Sequence, residues 1–392
     1  MTRIAEGVFW VGAIDWTLRD FHGYVTPHGT TYNAYLVLDE KKALIDTVRS
    51  SHFPELVARV KEVLDPGEID YLVSSHVEPD HSGSLSQMLA LCPKAQVVTV
   101  ERYGQQGLEK YFHQKLPLIT VKEGSTLSLG KRSLSFIPIP LVHWPDNMMA
   151  FLSPDAILFS TDCYGQHFAT SARFDDQADM GLLMAEAAKY YANIIFPYPT
   201  QAARALEKTL ALQPKVIGPS HGVMWRGHLP QILDAYGRWT RGETRPRALV
   251  VYDTMWHSTE AMALAVVEGI AQEGVEVRLH SLGSSDLSHI AAELLEARAL
   301  VVGSPILNNN LLPSVAAFLT YLKGLRPRGK IGAAFGSFGW GGATAVKAIK
   351  EDLALAGLEV MEDELAVRFS PTPEELQACR QLGQKLAQKI KG

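Results

Sequence analysis

Ser75-His76-Val77-Glu78-Pro79-Asp80-His81-Ser82-Gly83 sets four imidazole and carboxylate side chains within six positions, after a short apolar run that begins at Tyr71 and has the composition of a buried strand. A loop leaving a strand end can fan such side chains toward one point, and nitrogen and oxygen donors without a thiolate suit a transition metal. Gly83 is expected to let the backbone turn sharply. Three further candidates follow: His143 in Leu-Val-His-Trp-Pro-Asp-Asn-Met, Asp162 in Phe-Ser-Thr-Asp-Cys, and His221 in Pro-Ser-His-Gly, which lie 62, 81 and 140 residues beyond His81. Only a tertiary fold can bring them to the first cluster, and each stands where a predicted strand gives way to a loop. Asp162, a carboxylate, suits the bridging of two cations. Any one of these residues alone would be an ordinary surface or core side chain; the full set is not.

Short apolar runs at Val8 to Val11, Tyr35 to Leu38 and Ala43 to Ile45 read as strands, and further strands are predicted at Gln96 to Val100, Leu134 to Pro138, Met149 to Leu152 and Ile157 to Ser160. Pro54 to Leu64, Gln177 to Ala192 and Thr200 to Leu212 read as helices, so this half is mixed α/β with antiparallel pieces. The polar stretch from Trp239 to Arg247 carries Gly242 and Pro246 and marks a boundary, giving domains at 1–243 and 247–392. Beyond it the rhythm is regular. Strands at Ala248 to Tyr252, Val275 to His280, Ala299 to Gly303 and Lys330 to Phe335 alternate with helices at Thr259 to Gln272, Asp286 to Glu296, Pro313 to Leu322, Ala343 to Ala356 and Thr372 to Lys391. Alternating βα units of this length predict a doubly wound parallel sheet.

A chain of 392 residues is too long for one ordinary core and suits two domains. With 47% hydrophobic and 20% charged residues it has globular composition, and a net charge of −5 leaves no basic footprint for a nucleic acid. Cys92, Cys163 and Cys379 are odd in number and far apart, which supports neither a disulfide framework nor a thiolate metal site and fits a reducing cytoplasm. Met1 to Leu18 lacks the cleavage site of a signal peptide, and no run approaches the length of a membrane helix.

At the metal-binding candidates the chain resembles the metallo-β-lactamase superfamily, whose hydrolases carry His-x-His-x-Asp-His followed by distant His, Asp and His. Here Glu78 replaces the second His, which is the mark of the flavodiiron proteins, and its harder oxygen donor favours two irons over zinc. The resemblance implies an N-terminal metallo-β-lactamase-like αββα sandwich in which His76, Glu78, His143 and Asp162 hold one iron. Asp80, Asp162 and His221 hold the other. His81 coordinates in some members of the family and turns away in others, so it is carried as a candidate ligand. Asp146 is expected to orient a ligand from behind. The same resemblance makes His22 and Tyr190 pocket residues able to donate protons or hydrogen bonds to a bound diatomic gas.

The second domain opens with a strand that turns into a helix through Asp253-Thr254-Met255-Trp256-His257-Ser258-Thr259. The N–H groups of a helix start, joined by hydroxyls of Thr254, Ser258 and Thr259, can surround a phosphate without Lys or Arg. Two later loops at predicted strand ends, Ser304-Pro305-Ile306-Leu307-Asn308-Asn309 and Ser337-Phe338-Gly339-Trp340-Gly341, complete a pattern that resembles flavodoxin, with FMN as ligand and Trp256 and Trp340 as candidate stacking partners. Two residues depart from that pattern. His257 stands where Gly is usual, at a position expected to need positive φ, and Ile306 replaces a Thr and its hydroxyl.

Both halves occur in the order of the flavodiiron family, and the resemblance covers essentially the whole chain. It implies an oxidoreductase that reduces O2 to water, NO to N2O, or both, at a di-iron centre fed by FMN, acting as a head-to-tail homodimer or a dimer of dimers. The last helix ends close to Gly392, so electrons are expected from a separate protein, rubredoxin being the family's usual donor. Two rivals remain: a zinc hydrolase with an accessory flavodoxin domain, and a pure electron carrier whose first domain is a docking scaffold.

Overall fold

In the computed structural model, which describes residues 1–340 and 342–392, the contacts divide the chain into two compact units. One comprises Met1–His22, Thr26–Tyr191 and Tyr198–Thr240, the other Gly23–Val25, Ala192–Pro197 and Arg241–Gly392.

The first unit is built on two sheets. Strands β1 (Thr2–Ala5), β2 (Val8–Trp10), β3 (Tyr35–Val37), β4 (Ala43–Ile45), β5 (Tyr71–Val73), β6 (Gln96–Val100) and β7 (Leu118–Val121) lie in that order. The pairings from β1 to β4 are antiparallel and those from β4 to β7 parallel. The second sheet runs β8 (Thr126–Ser128), β9 (Ser133–Pro138), β10 (Met148–Ser153), β11 (Ile157–Thr161) and β12 (Val216–Pro219), antiparallel except for its last pair. Their facing sides interdigitate: Trp10, Tyr35 and Val37 from one sheet pack with Phe136, Met148 and Phe159 from the other. The outer face of the first sheet is closed by Leu56, Val60, Leu85, Met88 and Leu108 from helices. These layers make the αββα sandwich.

Several elements differ from the sequence reading. The helix expected over Gln177 to Ala192 is α-helical only over Met180–Tyr190, with Asp179 accepting from the Leu182 N–H at 3.0 Å as its cap. A π-helical segment, Tyr191–Ile195, follows it. Helices at Leu85–Leu91, Tyr103–Phe112 and Leu229–Thr240 lie outside the sequence reading.

The second unit carries a parallel sheet in the order β14 (Glu276–Ser281), β13 (Arg245–Tyr252), β15 (Ala297–Leu307), β16 (Ile331–Phe338), with β17 (Glu359–Val360) and β18 (Leu365–Arg368) both pairing with β16. One face is covered by helices Ser258–Gln272 and Pro373–Lys391, through Met262, Val266, Leu382 and Leu386. The other is covered by Ile290, Leu294, Phe318, Leu322 and Ile349. Burial on both faces explains why these strands read as continuous apolar runs. The two helices of the first face meet at glycines: a Cβ on Gly269 would lie 2.0 Å from the Arg380 carbonyl oxygen. Strand β15 continues to Leu307 and β16 to Phe338, so residues expected to open loops are still in the sheet. Strand β18, short and preceded by Glu362-Asp363-Glu364, was not expected at all.

Lys330 enters β16 with only 2% of its surface exposed. Its Nζ donates to the Leu295 and Ala297 carbonyls at 3.2 and 2.6 Å, at the C-terminus of helix Leu287–Glu296 where carbonyls lack helical partners. Burial, aided by the positive charge of Arg298, pulls its pKa from 10.5 down to about 7. Between those values the unfolded chain holds a proton that the folded chain does not, so stability falls as pH drops through that window by about 1.4 kcal/mol per unit. K330M has no such proton. The Tm of K330M relative to the parent should therefore rise as pH is lowered from about 10 to about 7, measured by calorimetry at both ends.

Candidate metal centre and flavin pocket

Strand ends of the first unit deliver the metal-binding candidates to one place. His76 and Glu78 leave β5; Pro79–Ser82 forms a single helical turn carrying Asp80 and His81; His143 lies in the loop after β9; Asp162 and His221 follow β11 and β12. Gly83 has ordinary helical φ of −58°, so its role is space rather than a special turn: a Cβ there would lie 2.2 Å from the Pro79 carbonyl oxygen. Gly222, after His221, has φ 82°, and a Cβ would collide with Gln166 Oε1.

The ligand atoms converge in two halves that share Asp162. His76 Nε2 lies 3.2 Å from Glu78 Oε2 and 3.8 Å from Asp162 Oδ2, and His143 Nε2 lies 3.3 and 3.5 Å from the same two oxygens. On the other side His221 Nε2 is 3.2 Å from Asp80 Oδ2 and 3.6 Å from Asp162 Oδ1. His81 turns inward, its Nε2 3.2 Å from Asp162 Oδ1 and 3.3 Å from Asp80 Oδ1. The ring orientations are set from behind. His76 Nδ1 faces Asp146 Oδ2 at 2.9 Å, which also accepts from the Val77 N–H at 2.7 Å, and His221 Nδ1 donates to the Thr31 carbonyl at 2.7 Å. Each leaves Nε2 to point into the cluster.

The cluster demands positive charge. Burial alone would keep the His76 imidazole neutral, yet Asp146, Glu78 and Asp162 push it up to about 10. His81, equally buried, is driven to about 10 by Asp80 and Asp162, and His143 to about 9 by Asp162 and Glu78. Asp162 is held well below the carboxylate range, because His81 and His143 outweigh its burial. Both oxygens of buried Asp80 lack a hydrogen bond of good geometry. Orphaned acceptors, three carboxylates and four inward imidazoles, with no thiolate, fit two transition-metal cations that take mixed nitrogen and oxygen donors. Two groups of donor atoms, His76, Glu78, His81, Asp162 and Asp80, His81, His221, each lie within 4.8 Å of one another.

Tyr190 is buried and its hydroxyl donates to Asp162 Oδ1 at 3.0 Å. Burial, with Asp162 and Asp80 nearby, raises its pKa well above 10, so the hydroxyl keeps its proton. His22 adopts φ 57° and lies with Nε2 3.6 Å from Glu78 Oε1, its side chain 75% exposed. One neighbour escaped the sequence reading. His167 packs 4.9 Å from the His221 ring and 5.1 Å from the Tyr190 ring, its Nδ1 2.8 Å from Thr30 Oγ1. Burial and the neighbouring His221 hold it neutral. It sits in an irregular segment after Asp162, where neither periodicity nor spacing marks it.

In the second unit a cavity of about 440 Å³ opens at the carboxyl ends of β13, β15 and β16. The first loop contributes Thr254, Met255, Trp256, Ser258 and Thr259; the second Pro305, Ile306, Asn308 and Asn309; the third Ser337, Phe338, Gly339 and Trp340. Trp256 and Trp340 are 87% and 78% exposed, so neither packs against a helix. Thr259 Oγ1 and Ser337 Oγ, 2.9 Å apart, tie the first loop to the third.

Three expected residues stand off the cavity wall. His257 has the anticipated left-handed backbone, φ 63°, but its ring turns to Glu260, with Nδ1 2.6 Å from Oε2. Ser304 is buried within β15, donating to the Pro305 carbonyl at 2.7 Å, and Leu307 ends that strand. Gly341 lies outside the described residues. Phe369 and Ser370, after β18, line the cavity unforeseen.

Residues 30–222 match the ODP family beta lactamase and residues 250–383 match flavodoxin. The chain is 46% identical to the nitric oxide reductase of Moorella thermoacetica, over 99% of this chain and 98% of that one. It is 41% identical to the rubredoxin-oxygen oxidoreductase of Megalodesulfovibrio gigas, over 100% and 98%. The solved structure of rubredoxin oxygen:oxidoreductase from Desulfovibrio gigas superposes with a TM-score of 0.97 at 41% identity, covering 100% of this chain and 98% of that one. The flavodiiron protein from Giardia intestinalis does so with 0.96 at 35% identity, covering 100% and 96%. With both halves matched in order and relatives alike from end to end, this chain belongs to the flavodiiron protein family.

Proposed function

We propose that this chain is an oxidoreductase that reduces dioxygen to water or nitric oxide to nitrous oxide, with metal chemistry in residues 1–243 and electron delivery in residues 247–392. The observation that carries this reading is Glu78, whose Oε2 sits 3.3 Å or less from the Nε2 atoms of both His76 and His143. A carboxylate in that place adds negative charge and a hard oxygen donor, which favours iron over the zinc of a hydrolase. His76, Glu78, His143 and Asp162 would hold one iron, Asp80, Asp162 and His221 the other, and the inward turn of His81 supports it as a further ligand. Held by these residues, two irons would supply redox chemistry toward a diatomic gas, and FMN in the second unit, able to hold one or two electrons, would return electrons to them.

The chain's own residues have separate tasks. Asp146 and the Thr31 carbonyl fix the His76 and His221 tautomers. The Tyr190 hydroxyl stays protonated and hydrogen-bonded to Asp162, which keeps a donor at the pocket wall. The exposed His22 imidazole beside Glu78 is placed to exchange protons with solvent. In the second unit the start of helix Ser258–Gln272 and the hydroxyls of Thr254, Ser258 and Thr259 would cradle the FMN phosphate, with Trp256 and Trp340 beside the ring.

The reading extends to a head-to-tail homodimer in a reducing cytoplasm, reduced by a separate small protein such as rubredoxin. Three buried free cysteines and the lack, among the described residues, of any helix long and apolar enough to cross a membrane support that setting.

Protein grown with iron and zinc both available should hold about two irons and one FMN per chain. Two zincs instead would establish the hydrolase reading. D162A should lose most of the iron while retaining FMN, and gas consumption should fall at least about 100-fold, since a ligand shared by both ions has no substitute. Undiminished consumption in D162A and H143A would favour the electron-carrier reading. Anaerobic stopped-flow mixing of the reduced protein with each gas identifies the substrate, and an active monomer in sedimentation would overturn the dimer.

A further inference from the structure

The end of β18, at Arg368, and the residues that follow it, Phe369-Ser370, lie outside the three-loop pattern of the flavodoxin-like half, yet Phe369 and Ser370 line the cavity. Phe369 has φ 62°, the left-handed region that a bulky aromatic residue avoids. Its conformation is enforced locally. The Phe369 N–H donates to the Phe338 carbonyl at 2.7 Å, and Arg368 Nε donates to the Gly339 carbonyl at 3.1 Å, so both residues are tied to the third loop. The ring packs over Gly339 so closely that a Cβ there would lie 3.2 Å from Phe369 Cε1. Behind the ring stands the Arg368 guanidinium, 5.1 Å from its centroid.

These ties do not bury the ring, which is 61% exposed at the cavity. A turn that merely needed left-handed backbone would be better served by Gly. Strained, over-determined residues of this kind collect at ligand clamps, where the strain aims a side chain. We propose that Phe369 is a flavin-positioning residue: with Arg368 behind it, it forms a fourth wall of the pocket and holds the loop carrying Trp340 at the spacing a planar isoalloxazine ring requires. This rests on the reading of the second unit as an FMN domain. A Cβ on Gly339 would require the Phe369 ring to shift by a few tenths of an ångström, so the small residue there suits the close approach of the ring.

The test uses the full-length holoprotein, with the FMN dissociation constant read from free-flavin fluorescence on dilution and the ring's setting read from visible circular dichroism. F369A and F369G should both bind FMN about tenfold more weakly, as expected for a lost aromatic contact, and both should change the flavin dichroism. F369Y should restore parental values. Gly relieves the left-handed backbone and Ala does not, so parental affinity in F369G would show that the residue serves only the turn and would overturn the assignment. Unchanged affinity in F369A, should F369G fail to fold, would overturn it equally. A parent protein that holds no FMN would remove the reading on which the assignment rests, an outcome distinct from a parent and variants that bind alike.

Discussion

The first unit is organised around one desolvated carboxylate. Asp162 is 1% exposed, and a buried charge of this kind persists only with partners on every side. Tyr190 and Asn147 donate to it at 3.0 and 3.3 Å, and four imidazole Nε2 atoms stand within 3.8 Å of its two oxygens. Those partners come from the ends of β5, β9 and β12, from Asn147 just before β10, from the helical turn at Pro79–Ser82 and from the helix ending at Tyr190. Both sheets of the sandwich must therefore hold their register for the charge to be compensated. Glu78 and Asp80 then add negative charge beyond what Asp162 requires, and the imidazoles of His76, His81 and His143 are driven toward their protonated forms. Bound cations would replace those protons, and the surplus charge would become affinity.

The flavin pocket follows the opposite principle. No Lys or Arg lines it among the described residues, and the hydrogen-bonded pair at its first loop, His257 with Glu260, turns away from the cavity. What remains for a phosphate is the N-terminus of helix Ser258–Gln272 and a set of hydroxyls, so recognition depends on oriented dipoles rather than on net charge. The aromatic walls, Trp256 and Trp340, are left exposed and so are open to a ring the protein does not itself supply. One unit thus concentrates buried charge for metal ions, and the other arranges neutral donors and aromatic faces for an organic redox group.

The parallel sheet of the second unit was legible because its strands are buried on both faces and alternate with helices of regular length. The side chains that converge at the candidate metal centre were legible because His76, Glu78, Asp80 and His81 lie close together in sequence, and His143, Asp162 and His221 each sit in a short turn-rich segment. Harder to read was whatever depends on a backbone angle or a distant contact. The inward turn of His81 is fixed by Asp80 and Asp162, one next to it and one far along the chain. His167 owes its place to contacts with Thr30, Tyr190 and His221. Gly83 suggested a special turn, whereas its need is clearance from Pro79. Strand β18 hides because four residues beside an acidic stretch carry too little periodicity to register.

Left-handed backbone at residues other than Gly occurs at both sites, at His22 and Thr161 in the first unit and at His257, Asn308, Asn309 and Phe369 in the second, as it does at helix ends such as His113, Gln213 and Arg326. Asn adopts this conformation readily, but a β-branched Thr or an aromatic residue does so against a real penalty. At Thr161, φ 49°, the conformation is imposed by pairing with Pro219 of the neighbouring strand and by Asn147 Nδ2, which reaches Thr161 Oγ1 at 3.3 Å. The next residue is Asp162, so the kink in β11 is what lifts the shared carboxylate out of the sheet and into the cluster. Phe369 repeats the device at the end of β18. Strain located where a strand gives way to a site, and held by hydrogen bonds on both sides, converts sheet stability into the aim of a single side chain. Such positions sit poorly with local propensity, which is why a sequence read for propensity passes over them and a structure does not.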